Sequence, residues 1–149
     1  MTKILVFGTF DILHPGHKFF LKSAKEMGNE LNVVIARDDT VLKVKGRMPH
    51  HDENQRLKKI KTFSYVDNAY LGNKRDKFKI IKKIMPDIIC LGYDQKEFVG
   101  KLPEELKKRG LKTKIFRFDK AYKPHIYKSS ILRKNIESEK RWEKILKTV

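Results

Sequence analysis

The chain has 149 residues, of which 40% are hydrophobic, and this is the size and composition of one folded domain rather than a disordered polymer. Lysine and arginine outnumber acidic residues, 35 to 18, and the formal net charge of +17 predicts an anionic partner, either nucleic acid or a phosphorylated small molecule. No apolar run is long enough to span a bilayer and no stretch has the pattern of a signal peptide, so we expect a soluble cytoplasmic protein.

Short apolar segments alternate with amphipathic ones along the chain. Strands are predicted at 3–7, 31–37, 66–72, 87–92 and 112–118. Helices are predicted at 16–27, from about 52, at 77–85, at 103–109 and from 130 to the end, while 38–51 is predicted to be mostly loop. The only cysteine, Cys90, falls in the fourth strand and is predicted to be a small core residue. The alternation favours an α/β fold: a Rossmann-like, doubly wound, parallel five-stranded sheet with helices on both faces, in a single domain over 1–149.

The sequence GTFDILHPGH, at 8–17, follows the first strand and begins the first helix. In a parallel sheet, ligands bind beyond the carboxyl ends of the strands, which is where this segment lies. Gly8 is predicted to let the backbone approach a ligand closely, and Pro15 suits the first helical turn. The N–H groups of residues 16–18 are predicted to be free, so that together with the helix dipole they form an anion site.

His14 and His17 lie about one helical turn apart, so both imidazoles are predicted to face the same anion. Imidazole N–H donors there could stabilise charge that grows on a phosphate. A metal site is an alternative reading of the pair, but no third ligand follows at a usual spacing. His50 and His51 are predicted to lie on a loop surface.

These residues resemble the nucleotide-binding signature of the nucleotidylyltransferase superfamily, the HxGH enzymes of the cytidylyltransferase-like fold. A second superfamily motif, Ser-Ser-x-[Ile/Leu]-[Arg/Lys], is matched at 129–133 by SSILR. The resemblance implies that an acceptor phosphate attacks the α-phosphorus of a nucleoside triphosphate directly and that pyrophosphate leaves. Such chemistry needs positioning and charge neutralisation more than a nucleophilic side chain. It also implies a divalent cation, Mg²⁺, that is bound through the triphosphate rather than by dedicated protein ligands.

The resemblance assigns roles to individual residues. The catalytic residues it implies are His14, His17, Lys45 and Arg133. The nucleotide-binding residues it implies are Thr9, Phe10, His14, Pro15, Gly16, His17, Gly92, Asp94, Tyr122, Ser129 and Ser130. The acceptor-binding residues it implies are Asp11, Lys45 and Arg56. Plainer interpretations stay open for some of them: Asp11 could order the turn, Lys45 could be solvated, Tyr122 could lie on the surface, and the serine pair could simply cap a helix.

Five stretches most resemble the short, single-domain archaeal FMN adenylyltransferases: GTFDILHPGH, ARDDTV, KGRMP, LGYDQ and the lysine-rich end of the chain. The resemblance implies ATP and FMN as substrates, FAD and pyrophosphate as products, and a homodimer. One alternative is a CTP-dependent transferase acting on glycerol 3-phosphate, although KPHIYKSS lacks the arginine that such enzymes carry before their serine-threonine run. Another is a basic nucleic-acid-binding module on the same fold. No RNA-binding motif with interleaved aromatic residues is present, so nucleic acid is not expected as a partner. Because the apolar runs are short, no membrane partner is expected either.

Overall fold

A computed structural model describes residues 1–93, 95–96 and 99–119, and the helix predicted from 130 onward lies outside them. The strands are β1 (Lys3–Gly8), β2 (Glu30–Ile35), β3 (Asn68–Leu71), β4 (Ile88–Leu91) and β5 (Lys114–Arg117). The helices are α1 (Pro15–Glu26), α2 (Asp38–Lys45), α3 (Glu53–Lys61), α4 (Lys79–Ile84) and α5 (Leu102–Lys108), with a short 3₁₀ turn at Val99–Lys101. Within the described residues, no helix is long and apolar enough to cross a bilayer.

The five strands form one sheet in the order β3-β2-β1-β4-β5, and every pair of neighbours is parallel. Strand β1 is central, and Gly8 at its carboxyl end lies opposite Ile35 of β2. The chain winds outward from β1 in both directions, so the strand order reverses between β1 and β4. Open parallel sheets bind ligands beyond the strand ends at such a point. The predicted parallel α/β sheet is confirmed.

Side chains of β1 alternate between two apolar layers. Ile4 and Val6 pack on one face with α1 and α3, and Leu5 and Phe7 pack on the other with α4 and α5. Burial of one such side chain stabilises the fold by roughly 1.5–3 kcal/mol. The two layers confirm the prediction that helices cover both faces of the sheet.

The segment 38–51 was predicted to be mostly loop, and this is wrong for Asp38–Lys45, which form α2. The helix lacks the apolar stripe that reveals amphipathic helices in a sequence, because Val41 is its only buried residue. Its charges favour the helix instead, with two aspartates in the first turn and two lysines in the last. Gly46, with φ of 72°, ends it in the left-handed conformation that glycine adopts readily.

The predicted core position of Cys90 is confirmed. Its side chain has no exposed surface, and its Sγ lies 3.5 Å from Sδ of Met27, the C-cap residue of α1. Burial raises the pKa of the thiol to about 12, so the nucleophilic thiolate is not formed at neutral pH.

Candidate active site

A cleft of about 660 Å³ opens beyond the carboxyl ends of the strands. The predicted site residues that line it are Thr9, Phe10, Asp11, His14, Gly16, His17, Lys45 and Gly92. Pro15 begins α1 as predicted but does not line the cleft. Asp94, Tyr122, Ser129, Ser130 and Arg133 lie outside the residues that the structure describes.

The two histidines cap the first helix by accepting backbone N–H groups at its start. Nδ1 of His14 accepts the N–H of Gly16 at 3.0 Å, and Nδ1 of His17 accepts the N–H of His14 at 3.3 Å. The imidazole centroids lie 3.9 Å apart. Because each Nδ1 accepts a hydrogen bond, the neutral rings carry their proton on Nε2. The spacing of the histidines therefore produces a reciprocal capping box and two adjacent Nε2–H donors.

This arrangement corrects the prediction that the first N–H groups of α1 are free. Besides the Gly16 bond to the ring, the N–H groups of His17 and Lys18 donate to the carbonyl of His14 at 3.0 and 3.3 Å. All three donors are thus used within the cap. The positive end of the helix dipole and the histidine Nε2–H groups remain available to an anion.

His17 is held in its neutral form. Its pKa is lowered to about 4, first by burial and then by the charges of His14 and Lys45. At neutral pH the ring therefore acts as a hydrogen-bond donor rather than as a cation. The influence of Lys45 also places that ammonium in the field of the histidine pair, at the carboxyl end of α2.

Gly8 lines the cleft, and the packing of Phe10 gives a further reason why a side chain is absent there. A Cβ at this position would lie 2.6 Å from Cε2 of Phe10, so the phenyl ring occupies the space that a side chain would fill. Phe10 has a φ of 51°, is 4% exposed and meets His17 edge to face at 5.7 Å. Phe10 is therefore part of the apolar core as well as of the cleft lining.

Arg56 does not occupy the predicted acceptor-binding position. It is 1% exposed, and its Nη2 bonds the carboxylate of Asp38 at 2.8 Å. Nη1 donates to the carbonyl of Thr9 at 2.9 Å, and Nε donates to the carbonyl of His51 at 3.0 Å. All three guanidinium nitrogens are committed inside the protein. Arg56 consequently positions the loop after β1 and does not present its charge to a substrate.

Asp11 also has a structural role, which is the plainer of the two interpretations drawn from the sequence. Its carboxylate accepts the backbone N–H groups of His50 and His51 at 2.7 and 2.9 Å. Partial burial works to raise the pKa of this carboxyl, but the hydrogen bonds from His50 and His51 prevail and hold the pKa below its usual value. Asp11 therefore ties the loop after β1 to the loop before α3.

Two residues that were not predicted from the sequence, Gln95 and Arg117, shape the opposite side of the cleft. Gln95 accepts the N–H of Gly92 and donates to the carbonyl of Phe7, each at 3.2 Å. Arg117 on β5 donates to the carbonyls of Gly92 and Gln95 at 2.9 and 2.8 Å. These bonds fix the turn after β4 against the central strand. The glutamine in LGYDQ was a signal from which Gln95 could have been predicted. Arg117 gave no such signal, because its partners lie more than 20 residues away in the sequence.

Comparison with known proteins places this geometry in context. A family model described as cytidylyltransferase-like matches residues 5–135. An FAD synthase from Methanobrevibacter ruminantium is 54% identical over 120 residues, which cover 78% of this chain and 79% of that protein. An FAD synthase from Methanohalophilus mahii is 45% identical over 144 residues, which cover 96% and 99%.

Two solved structures share the architecture. A lipopolysaccharide core biosynthesis protein from Thermoplasma volcanium is 43% identical, with a TM-score of 0.76 over 83% of this chain and 99% of that one. A pantoate-β-alanine ligase from Francisella tularensis, at 16% identity and a TM-score of 0.59, covers 95% of this chain and 70% of its own and shares the fold alone.

Proposed function

Because the chain belongs to the cytidylyltransferase-like family, we propose that it transfers the adenylyl group of ATP to the phosphate of FMN, giving FAD and pyrophosphate. The paired Nε2–H donors of His14 and His17, at the carboxyl end of the central strand, carry the proposal of this reaction class. The names of the relatives, FAD synthases at 45 and 54% identity, support FMN as the acceptor.

In the proposed reaction an oxygen of the FMN phosphate attacks the α-phosphorus of ATP in line. The bond from that phosphorus to the α,β-bridging oxygen breaks, and its electron pair leaves with pyrophosphate. No general base is needed, because the attacking phosphate is already ionised at neutral pH. His14 and His17 donate hydrogen bonds to the oxygens on which negative charge grows, and neutral His17 does so without giving up its proton.

The other substrate contacts are proposed on either side of the histidine pair. Lys45 supplies positive charge next to His17. Gly92, in the turn fixed by Gln95 and Arg117, lies where we propose that the adenine binds, with Asp94 and Tyr122. Ser129, Ser130 and Arg133 are proposed to bind the phosphates that leave as pyrophosphate.

We propose that Mg²⁺ reaches the site on the triphosphate. In the described part of the chain no three His, Cys, Asp or Glu side chains are grouped so as to hold a metal ion. Asp11 is the one carboxylate among the described lining residues, and both of its oxygens accept backbone N–H groups. This lining fits a metal ion whose ligands are phosphate oxygens and water rather than protein side chains. Such an ion would neutralise charge on the phosphates.

A homodimer in the cytoplasm, with ATP and FMN as its small-molecule partners, completes the proposal. Its support is the family resemblance. Light scattering at micromolar concentration measures the oligomeric state, and a monomeric mass would contradict the dimer.

The test is pyrophosphate release with Mg²⁺, crossing ATP and CTP against FMN and glycerol 3-phosphate. We expect turnover with ATP and FMN alone. Turnover with CTP and glycerol 3-phosphate would replace the proposal with the cytidylyltransferase alternative. No turnover with any pair, together with salt-sensitive RNA binding that survives loss of both histidines, would favour the nucleic-acid-binding alternative.

Replacing either motif histidine tests the assigned chemistry. His14→Ala and His17→Ala should each lower kcat by about 100-fold or more, because each removes a donor aimed at transition-state charge. His50→Ala is the matched control, since that side chain is exposed and does not line the cleft. A folded double variant with nearly normal kcat would remove the histidines from the mechanism.

A further inference from the structure

The arginines near the acceptor side of the cleft are already neutralised within the protein. Arg37, which lines the cleft, donates from Nη1 to the carboxylate of Glu53 at 2.6 Å and from Nε to the carbonyl of Gly72 at 2.7 Å. Arg56 is buried and bonded through all three nitrogens. Arg56 therefore cannot meet the phosphate of an acceptor without giving up its internal bonds, and the charge of Arg37 is already matched by Glu53.

Two lysines remain as candidates. Lys45 and Lys77 line the cleft, and neither forms an ion pair or hydrogen bond with the described residues. Lys77 lies in the turn between β3 and α4 and is half-buried, whereas its neighbours Lys74 and Arg75 are exposed and do not line the cleft. A lysine that lies against a cleft with its stem partly buried and its ammonium unpaired there can bind an anion that enters the cleft.

The order of the strands places Lys77 on a particular side of the reacting centre. The histidine pair follows β1, α2 with Lys45 follows β2, and the turn with Lys77 follows β3, so the three lie in succession along one edge of the sheet. Neighbouring strands are about 4.8 Å apart, which puts the end of β3 about 10 Å from that of β1. The turn after β4, where we propose that adenine binds, lies on the other side of β1.

We propose that Lys77 binds the phosphate of the acceptor, facing Lys45 across it. This inference rests on the proposed function and adds a binding residue that the sequence motifs did not include. A phosphate monoester carries nearly two negative charges at neutral pH, so it is matched by two ammonium groups better than by Lys45 alone. Lys77 takes the role that sequence analysis gave to Arg56.

The experiment compares Lys77→Gln with Lys74→Gln, which removes the same charge from an exposed position three residues away. Steady-state kinetics measures KM for FMN and for ATP, and flavin fluorescence measures binding of FMN and of riboflavin, which lacks the phosphate. For Lys77→Gln we expect KM for FMN to rise about tenfold or more, while KM for ATP and the Kd for riboflavin stay within twofold. Lys74→Gln should match the wild type in all four quantities.

The outcomes separate this inference from the proposed function. A wild-type protein that neither binds FMN nor makes FAD overturns both. A wild-type protein that makes FAD, with Lys77→Gln indistinguishable from Lys74→Gln, overturns the role of Lys77 alone. A rise in KM for ATP, or equal weakening of FMN and riboflavin binding, also overturns it, because the lysine would then serve the nucleotide or the fold.

Discussion

At the scale of single residues, the hydrogen bonds of the capping histidines determine both the helix start and the chemistry. Nδ1 of each ring is used to cap α1, so Nε2–H is the group left for substrate. Pro15 between them fits because the first helical residue needs no N–H donor. Burial, and then the charges of His14 and Lys45, disfavour a second proton on His17. The same geometry therefore gives a donor that stays neutral at neutral pH.

The low pKa of His17 predicts a pH dependence of stability. In the folded protein the pKa of His17 is about 4, against 6.5 for an unperturbed histidine, so between these values the unfolded chain binds the additional proton. Stability should therefore fall as the pH drops from about 6.5 towards 4, by about 1 kcal/mol between pH 7 and pH 5 after allowance for solvent screening. Urea unfolding at the two pH values measures it. His17→Asn should show a smaller loss than the wild type, and an equal loss would contradict the assignment.

At the scale of secondary-structure elements, Arg56 joins segments that are distant in sequence. It connects α3 to Asp38 at the start of α2 and to the carbonyl of Thr9 after β1. Because α2 carries Lys45 at its other end, this buried link contributes to the placement of the cleft's charge. The link is polar and buried, so its loss costs more stability than the loss of a surface ion pair.

Loss of this link should be costly. Arg56→Met should lower the free energy of unfolding by roughly 3–5 kcal/mol, because Asp38 and two carbonyls lose their buried partner. Arg56→Lys keeps the charge but forms fewer hydrogen bonds, so its loss should be smaller. Arg75→Met, at an exposed position, is the control and should stay within about 0.5 kcal/mol of the wild type. Chemical denaturation measures all three, and a mild effect of Arg56→Met would show that the network is dispensable.

The fold was predictable where apolar residues follow a strict pattern. Strands such as IICL and helices such as α1 bury regular positions, and these were located to within a few residues. Helix α2 was missed because it has no apolar stripe. The charges at its two ends favour it instead. The motif histidines were predictable from their spacing. The burial of Arg56 was not, because its partners lie 18 and 47 residues away, and neither was Lys77, which only the strand order brings to the cleft.

At the scale of the whole molecule, the net charge of +17 means that many basic side chains have no acidic residue to pair with. The described residues form five close ion pairs, two of which join Arg109 to Asp76 and to Glu105. Among the lysines of the described part of the chain, Lys25 alone appears in these five pairs, so most of the others repel one another through solvent. This repulsion opposes the compact state while it attracts phosphorylated substrates from a distance.

The excess charge predicts a response to salt. Raising NaCl from about 50 to about 500 mM shortens the Debye length from more than 10 Å to a few ångströms, so mutual repulsion is screened. We expect Tm to rise and KM for ATP to increase over the same range, since attraction of the substrate is screened as well. Thermal melts and steady-state kinetics at constant pH measure both. A fall in Tm would mean that favourable ion pairs outweigh the repulsion.

The position of Cys90 has a consequence for how the protein opens. It is the only cysteine of the chain, lies in a strand next to the central one, and has no exposed surface. A thiol reagent can therefore reach it only after the sheet separates from α1, and the deep burial of the thiol keeps it protonated until then. The alkylation rate of the native protein consequently reports the rare opening of the whole sheet, whereas fraying of the surface helices leaves it unchanged. Cys90 is thus an intrinsic probe of global unfolding, in the core beneath the active-site cleft.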